Sequence, residues 1–251
     1  PLRPSLRFHR NRRWMSWTWE ELITRSRGLA TALLDLDDDR AHRIAIISQN
    51  RPEWALVDIA GVFAATPTVS IHPTFPVDEI IGLLRHSRAH TAFIEEDHII
   101  ERILQRRDEL PELARVVRLD PTQGHGDRRL MALEELGRLG ARSRGGQTSL
   151  HGFDSTPDSP LTIIYTSGTT GRPKGVVLTQ GNVLSVVDGV SEALGPSGAF
   201  DHSLSILSLA HALERVMGHF FPLLRGRTIS YSRGLSRLLD DFRIVRPDVA
   251  V

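Results

Sequence analysis

One short segment contains most of the residues that could bind a polyanion. From Tyr165 to Gly175 the chain reads Tyr-Thr-Ser-Gly-Thr-Thr-Gly-Arg-Pro-Lys-Gly, with three glycines, four Ser/Thr hydroxyls and one lysine. Glycines let successive backbone N–H groups converge, hydroxyls donate hydrogen bonds to phosphate oxygens, and the ammonium adds a positive charge. The segment therefore predicts a loop that binds the phosphates of a nucleotide.

The lysine of this segment is unusual for the chain. Of the 31 Lys and Arg side chains, Lys174 is the only lysine. An ammonium is a compact, strongly hydrated charge on a flexible stem, whereas a guanidinium is a planar fork. A single lysine among so many arginines favours a functional role, and we predict that Lys174 contacts phosphate and assists catalysis.

The segment differs from a Walker A loop, which places Gly-Lys-Ser/Thr immediately before a helix. Lys174 is followed by Gly-Val-Val-Leu-Thr, a strand-like sequence. We therefore predict that loop amides and side chains bind the phosphates without help from a helix dipole. The structural alternative is an ordinary solvated hairpin loop rich in Gly, Ser and Thr.

The elements around this loop predict an α/β fold with largely parallel sheets flanked by helices, because β-branched runs alternate with helical periods. The predicted strands are Ile44–Ser48, Thr68–Ile71, Thr91–Glu95, Val116–Leu119, Leu161–Thr166, Gly175–Thr179, Leu204–Leu209 and Thr228–Tyr231. The predicted helices are Trp19–Leu34, Glu53–Ala65, Pro76–His86, Ile99–Glu109, Val183–Leu194, Ala212–Leu224 and Ser236–Val245. Asn182 is the predicted N-cap of its helix.

Composition narrows the class of protein further. A net charge of +1 gives no field that would favour nucleic acid. The absence of cysteine fits a reducing compartment, and no apolar run is long enough for a spanning helix.

Residues 121–159 are predicted to form a variable connection, with a short helical pattern around Leu130 to Leu139. Because the chain lacks an initial methionine and stops inside a predicted strand from Asp248, we expect it to be incomplete at both ends.

The Tyr165–Gly175 segment resembles the phosphate loop of the adenylate-forming (AMP-binding) superfamily. Two further segments, Ser16–Leu22 and Val69–Thr74, resemble its early "T-W/Y-x-E-L" sequence and its "V-P-I-Y-P-T" strand exit. The resemblance implies that residues 1–251 form an incomplete N-terminal AMP-binding domain whose C-terminal domain is absent.

A fourth segment resembles one subfamily. Residues Leu207–Val216 are similar to the "L-P-L-A-H-x-x-E-R" sequence of long-chain fatty acyl-CoA synthetases, although Ser208 replaces its usual proline. The resemblance implies that His211 lies near the acyl carboxylate and the α-phosphate, where it would be catalytic. The alternative for His211 is a structural histidine between a strand and a helix. Glu214 and Arg215 are expected to fix the helix or to line an acyl tunnel.

By resemblance, the protein would activate a fatty acid with ATP and transfer it to coenzyme A, using Mg²⁺, and the isolated fragment would be inactive. The residues implied to bind the β- and γ-phosphates are Thr166, Ser167, Gly168, Thr169, Thr170, Gly171 and Lys174. Thr169 is also implied near Mg²⁺, while the adenine, the ribose and a second metal ligand are expected to contact residues beyond Val251. We expect a cytoplasmic protein that can contact a membrane surface.

Three alternatives stay open from the sequence. The first is an acyl-AMP ligase that loads a carrier protein, and the second is a nucleotide-binding fragment without catalysis. The third is a generic α/β scaffold whose glycine-rich loop is structural. The remaining histidines, including His72, lack metal-ligand spacing and are assigned to surface or packing roles.

Overall fold

A computed structural model describes residues 3–35, 43–121, 129–142, 154–166, 173–195 and 200–251. In this part of the chain, helices flank two β-sheets of seven and five strands. The predicted α/β class is therefore confirmed. None of the helices described combines the length and apolar character required to cross a membrane.

The strands are β1 (Pro4–Arg10), β2 (Arg13–Thr18), β3 (Arg43–Ile47), β4 (Thr68–Ile71), β5 (Ala89–Ile94), β6 (Arg115–Arg118), β7 (Leu130–Ala132), β8 (Pro160–Thr166), β9 (Lys174–Thr179), β10 (His202–Ser205), β11 (Thr228–Tyr231) and β12 (Val249–Ala250). The α-helices are α1 (Trp19–Asp35), α2 (Pro52–Ala64), α3 (Val77–Ser87), α4 (Asp97–Gln105), α5 (Leu133–Arg142), α6 (Gln180–Leu194), α7 (Phe221–Leu224) and α8 (Leu238–Val245). Short 3₁₀ turns cover Arg107–Glu109 and Leu235–Arg237, and a π-helical segment covers Glu214–Phe220.

The seven-stranded sheet has the order β7-β6-β5-β3-β4-β8-β9, and every pair in it is parallel except β8 and β9. Its central strands are buried on both faces. Along β3, Ile44 and Ile46 join a hydrophobic cluster that includes α1 and α2, whereas Ala45 and Ile47 join one that includes α3 and α4. Burial on both sides explains why these strands are continuous β-branched runs.

The chain reverses its direction of winding at the centre of this sheet. From β3 it proceeds to β4 on one side, and it then returns to β5 on the other side. In open parallel sheets, ligands bind outside the carboxyl ends of the strands at such a reversal. The fold thus points to the carboxyl edge near the ends of β3 and β4.

The five-stranded sheet contains two strands that the sequence analysis did not predict. Its order is β12-β10-β11-β1-β2, in which β1 pairs antiparallel with β2 and parallel with β11. Arg7 interrupts β1, and Arg10 and Arg13 flank the turn to β2, yet Leu6, Phe8 and Trp17 are buried. The apolar side of this hairpin packs on the core while its arginines stay near solvent.

Several predicted boundaries were wrong. The strand predicted from Leu204 to Leu209 ends at Ser205, because the following residues turn toward the other sheet. The N-cap of α6 is Thr179, whose side chain accepts from the N–H of Asn182, while the Asn182 side chain accepts from the N–H of Thr179. This reciprocal capping box starts the helix three residues earlier than the predicted Asn182 cap.

Residues 121–159 carry more regular structure than the predicted variable connection suggested. Strand β7 and helix α5 lie within them, and β7 adds to the sheet beside β6. The predicted helical pattern from Leu130 therefore begins as a strand. Helix α5 then packs on α1, where Gly140 meets Gly28.

Candidate functional site

The predicted phosphate loop closes a hairpin at the carboxyl edge of the large sheet. Thr166, the last residue of β8, is the register partner of Lys174, the first residue of the antiparallel β9. A strand thus follows the loop, as predicted. Of the residues predicted to bind phosphate, Thr166 and Lys174 are described, whereas five lie outside the described part of the chain: Ser167, Gly168, Thr169, Thr170 and Gly171.

Lys174 is available for an anion. Its residue is exposed, and its ammonium forms no ion pair with any residue that the structure describes. Most arginines with buried or half-buried side chains behave differently. Arg51, for example, contacts Glu53, Glu95 and Asp120. The lysine therefore keeps its charge accessible beside the hairpin loop.

His72 follows strand β4 at the same carboxyl edge of the large sheet. The pairing of β4 with β8 matches Val69 with Ile163 and Ser70 with Ile164. His72 and Thr166 each lie two residues beyond the last of these pairs, at the carboxyl ends of the two neighbouring strands. His72 therefore lies at the same edge of the sheet as the Thr166–Lys174 pair.

Asn50 attaches a segment from the other sheet to this edge. It follows β3, and its Nδ2 donates to Ser205 Oγ at 2.9 Å and to the carbonyl of Leu207 at 2.5 Å. Its Oδ1 accepts from the backbone N–H of Leu209 at 3.0 Å. One amide side chain therefore fixes three points of the segment that leads to His211.

This connection brings the two histidines together. The ring centroids of His72 and His211 are 6.1 Å apart, and their planes are tilted by 43°. His211 is exposed, so its ring is open to a ligand. Burial lowers the pKa of His72, and the charge of His211 lowers it further, which favours the neutral imidazole. The predicted site residue His211 thus contacts His72, which lies at the sheet edge that carries the phosphate hairpin. We call this part of the edge, with His72, Thr166, Lys174 and His211, the candidate crevice.

Arg215 is excluded from this crevice and from solvent. Its Nη2 lies 2.5 Å from both Asp58 Oδ1 and Thr68 Oγ1, and its guanidinium stacks 4.2 Å from the centroid of the Trp54 ring. His219 Nε2 lies 2.9 Å from the other Asp58 oxygen. Of the two expected roles, these contacts support the one in which Arg215 fixes the helix.

The ionisation of Asp58 follows from this arrangement. Burial alone would raise the pKa of Asp58, but the charge of Arg215 and the hydrogen bonds from His219 and Thr68 lower it to about 2. The carboxylate is therefore charged at neutral pH. It ties α2 and the start of β4 to the π-helical segment that follows His211.

Glu214 is also buried, with no exposed surface. Ser205 Oγ donates to its Oε1 at 2.5 Å. Burial raises the pKa of Glu214 to about 7, although hydrogen bonds from Ser205 and the Leu207 backbone favour the charged form. Glu214 and Asn50 thus both form hydrogen bonds with the Ser205–Leu207 segment.

A separate cavity lies away from the predicted site residues. The cavity, of about 680 Å³, lies between the β1–β2 hairpin, α1 and α5, and none of the predicted site residues lines it. Within the described part of the chain, no group of three or more His, Asp, Glu or Cys side chains could hold a metal ion. Thr169, the predicted metal-contacting residue, lies outside that part.

Asn50 was not predicted as a site residue, and His72 was assigned to a surface or packing role. Both residues are polar and follow buried parallel strands. This pattern could have predicted them as site residues, since such positions line the carboxyl edge of a sheet. The assembled crevice offers an ammonium, a threonine and two imidazoles. Such a set is suited to anionic oxygen atoms, as in phosphates and carboxylates.

Comparison with known proteins agrees with this chemistry. The chain is 29% identical to fatty acyl-CoA synthetase A of Dictyostelium discoideum, over 94% of its own length and 35% of the relative's. It is 30% identical to a long-chain-fatty-acid–CoA ligase, FadD15, of Mycobacterium bovis, over 95% of the chain and 39% of the relative. It thus spans less than half of either relative.

A solved structure shares the fold. The A-PCP didomain of carboxylic acid reductase from Segniliparus rugosus, solved with AMP, matches 98% of the chain and 39% of its own length, with a TM-score of 0.77 and 20% identity. The family model described as "AMP-binding enzyme" matches residues 1–249. By this match over nearly its whole length, the chain belongs to the AMP-binding enzyme family, whose members form adenylates.

Proposed function

We propose that the protein containing this chain activates a fatty acid with Mg-ATP and transfers the acyl group to coenzyme A. The observation that carries the proposal is the hairpin at the carboxyl edge, where Thr166 and Lys174 flank the glycine-rich loop. The names of the two curated relatives support the fatty acid and coenzyme A. The family match supports the nucleotide.

The proposed reaction has two steps. In the first step, a carboxylate oxygen attacks the α-phosphorus of ATP, the bond to the bridging oxygen breaks, and pyrophosphate leaves. In the second step, the thiol of coenzyme A attacks the acyl carbon, loses its proton and displaces AMP. Negative charge grows on the leaving pyrophosphate during the first step, so fixed positive charge and hydrogen-bond donors lower its barrier.

The chain's residues have distinct roles in this proposal. Lys174 would offset charge on the β- and γ-phosphates, and Thr166 would donate a hydrogen bond to them together with the loop residues Ser167, Gly168, Thr169, Thr170 and Gly171. Thr169 would also contact the Mg²⁺ that accompanies ATP. His211 would orient the carboxylate near the α-phosphate, because its exposed ring borders the same crevice.

The test is acid-dependent ATP–pyrophosphate exchange by the full-length gene product with palmitate. We expect Lys174→Ala to reduce exchange roughly 100-fold, since it removes a charge that acts in the transition state. Arg243→Ala is the matched control, because Arg243 is an exposed cation on α8 and should leave exchange unchanged. Equal exchange by wild type and Lys174→Ala would remove the phosphate role.

A second measurement decides the acceptor. Release of AMP that requires coenzyme A would support the thioester product. Activity with a phosphopantetheine carrier protein but none with coenzyme A would replace the proposal with an acyl-AMP ligase. Absence of palmitate-dependent exchange, with exchange on another acid, would retain adenylation and reject the fatty acid.

A further inference from the structure

His72 has a fixed protonation pattern. Its Nδ1 lies 3.2 Å from the backbone N of Thr74 and 2.7 Å from Thr74 Oγ1. A backbone N–H can only donate, so Nδ1 must present its lone pair. The neutral ring therefore carries its proton on Nε2, and protonating Nδ1 would break the turn between His72 and Thr74.

The ring is held in place but not enclosed. It is half-buried, with its centroid 5.9 Å from that of Phe75 and 6.1 Å from that of His211. Nε2, on the side of the ring opposite Cγ and the Nδ1 contact, has no hydrogen-bond partner among the residues described. A polar N–H at a half-buried position without a protein partner is available for a ligand.

The neighbours of His72 indicate which kind of ligand its Nε2–H would bind. It follows β4 at the carboxyl edge, and the neighbouring strand β8 ends at the same edge, where Thr166 pairs with Lys174. An exposed imidazole, His211, borders it on another side. Every neighbour named here is cationic or can donate a hydrogen bond, so an anionic oxygen is the complementary group.

We propose that His72 is a further substrate-binding residue, which donates a hydrogen bond from Nε2 to an anionic oxygen of the substrates in the crevice. The inference rests on the proposed function, since that function supplies the anions. The oxygen belongs either to the carboxylate of the acid or to a phosphate of ATP. The lowered pKa of His72 supports the inference, because a neutral ring keeps the Nδ1 lone pair that fixes its orientation.

Two substitutions separate the donor from the ring. His72→Phe keeps an aromatic ring against Phe75 and His211 but removes the donor, whereas His72→Gln returns an N–H near the position of Nε2. We expect His72→Phe to reduce kcat/KM for pyrophosphate exchange roughly 10- to 100-fold, the cost of a hydrogen bond to a charged group. His72→Gln should recover most of this loss. His98→Phe, an exposed histidine on α4, should have no effect.

The kinetic constants identify the oxygen. A raised KM for the acid alone assigns the carboxylate, and a raised KM for ATP alone assigns a phosphate. A reduced kcat with both KM values unchanged assigns a contact that forms in the transition state, and all three results support the inference. Wild-type constants for His72→Phe, or equal loss in His72→Phe and His72→Gln at unchanged thermal stability, would overturn it.

A binding measurement that does not depend on catalysis can test this inference separately from the proposed function. Nitrogen NMR of the histidine-labelled full-length protein should show His72 protonated at Nε2, and the Nε2–H resonance should shift when Mg-ATP or palmitate is added. If the wild type catalyses no exchange, the proposed function fails, and this titration still decides the role of His72. A resonance that neither probe moves would overturn it.

Discussion

Arg215 Nη2 lies 2.5 Å from Asp58 Oδ1, and both side chains are excluded from solvent. The contact joins helix α2, which leaves β3, to the π-helical segment after His211. Thr68 on β4 and Thr162 on β8 also contact the same guanidinium nitrogen. The strands that end in the crevice and the segment that borders it are thus anchored to one buried charge pair.

Removal of one partner should be costly. Asp58→Asn leaves the Arg215 charge buried without compensation, so we expect the free energy of unfolding to fall by about 3–5 kcal/mol. Urea unfolding of the 251-residue chain measures the change. The matched control is Asp188→Asn, because the Arg225–Asp188 pair is exposed and should contribute at most about 0.5 kcal/mol.

A second variant tests the physical reason. Arg215→Met combined with Asp58→Asn removes the uncompensated charge, and we expect it to be more stable than Asp58→Asn alone. If Asp58→Asn were as mild as Asp188→Asn, the buried pair would not be the anchor described here.

Glu214 should make stability depend on pH. Its folded-state pKa of about 7 lies above the ordinary value of 4.5, so the folded chain binds more protons than the unfolded chain between those values. The contribution of Glu214 to stability is fully present below about pH 4.5 and declines as pH rises through about 7. This gap in pKa corresponds to about 3 kcal/mol.

The comparison of Glu214→Gln with wild type isolates this contribution from the titrating histidines. Relative to wild type, we expect the variant to gain about 2–3 kcal/mol of stability between pH 4.5 and pH 8. Glu101→Gln, on the exposed face of α4, is the control and should follow the wild-type curve. Parallel curves for Glu214→Gln and wild type would show that the carboxyl group ionises normally.

The sequence predicts local structure well where one strong signal dominates. Strands β4 and β11 were predicted at the observed boundaries, Thr68–Ile71 and Thr228–Tyr231, because β-branched residues form short runs there. The hairpin strands β1 and β2 were not predicted. The arginines Arg7, Arg10 and Arg13 obscure the apolar pattern of the hairpin, and β1 pairs with β11 from the far end of the chain.

The candidate site likewise contains some features that local sequence predicts and others that depend on contacts between distant residues. The strands that contain Thr166 and Lys174 follow from local sequence. The approach of His72 to His211 does not, because it depends on Asn50 bridging two sheets. The π-helical segment was likewise predicted as an ordinary helix, since π-helices are rare and occur mostly as short stretches within α-helices.

Helices α1 and α5 cross so closely that one glycine has no room for a side chain. A Cβ on Gly140 would lie 1.8 Å from the carbonyl oxygen of Gly28, whereas a Cβ on Gly137, in the same helix, meets nothing within 4 Å. Gly140→Ala must force the helices apart, and we expect a loss of about 1–3 kcal/mol in the free energy of unfolding.

Gly137→Ala is the matched substitution, and we expect it to stabilise the chain by up to about 1 kcal/mol, because alanine favours the helix. The two midpoints of urea unfolding should therefore move in opposite directions. Since both changes add the same methyl group to the same helix, propensity cannot explain a difference in sign. Equal stabilisation by both would mean that α5 does not dock on α1 through Gly140, and that β7 and α5 are held by the β6 edge alone.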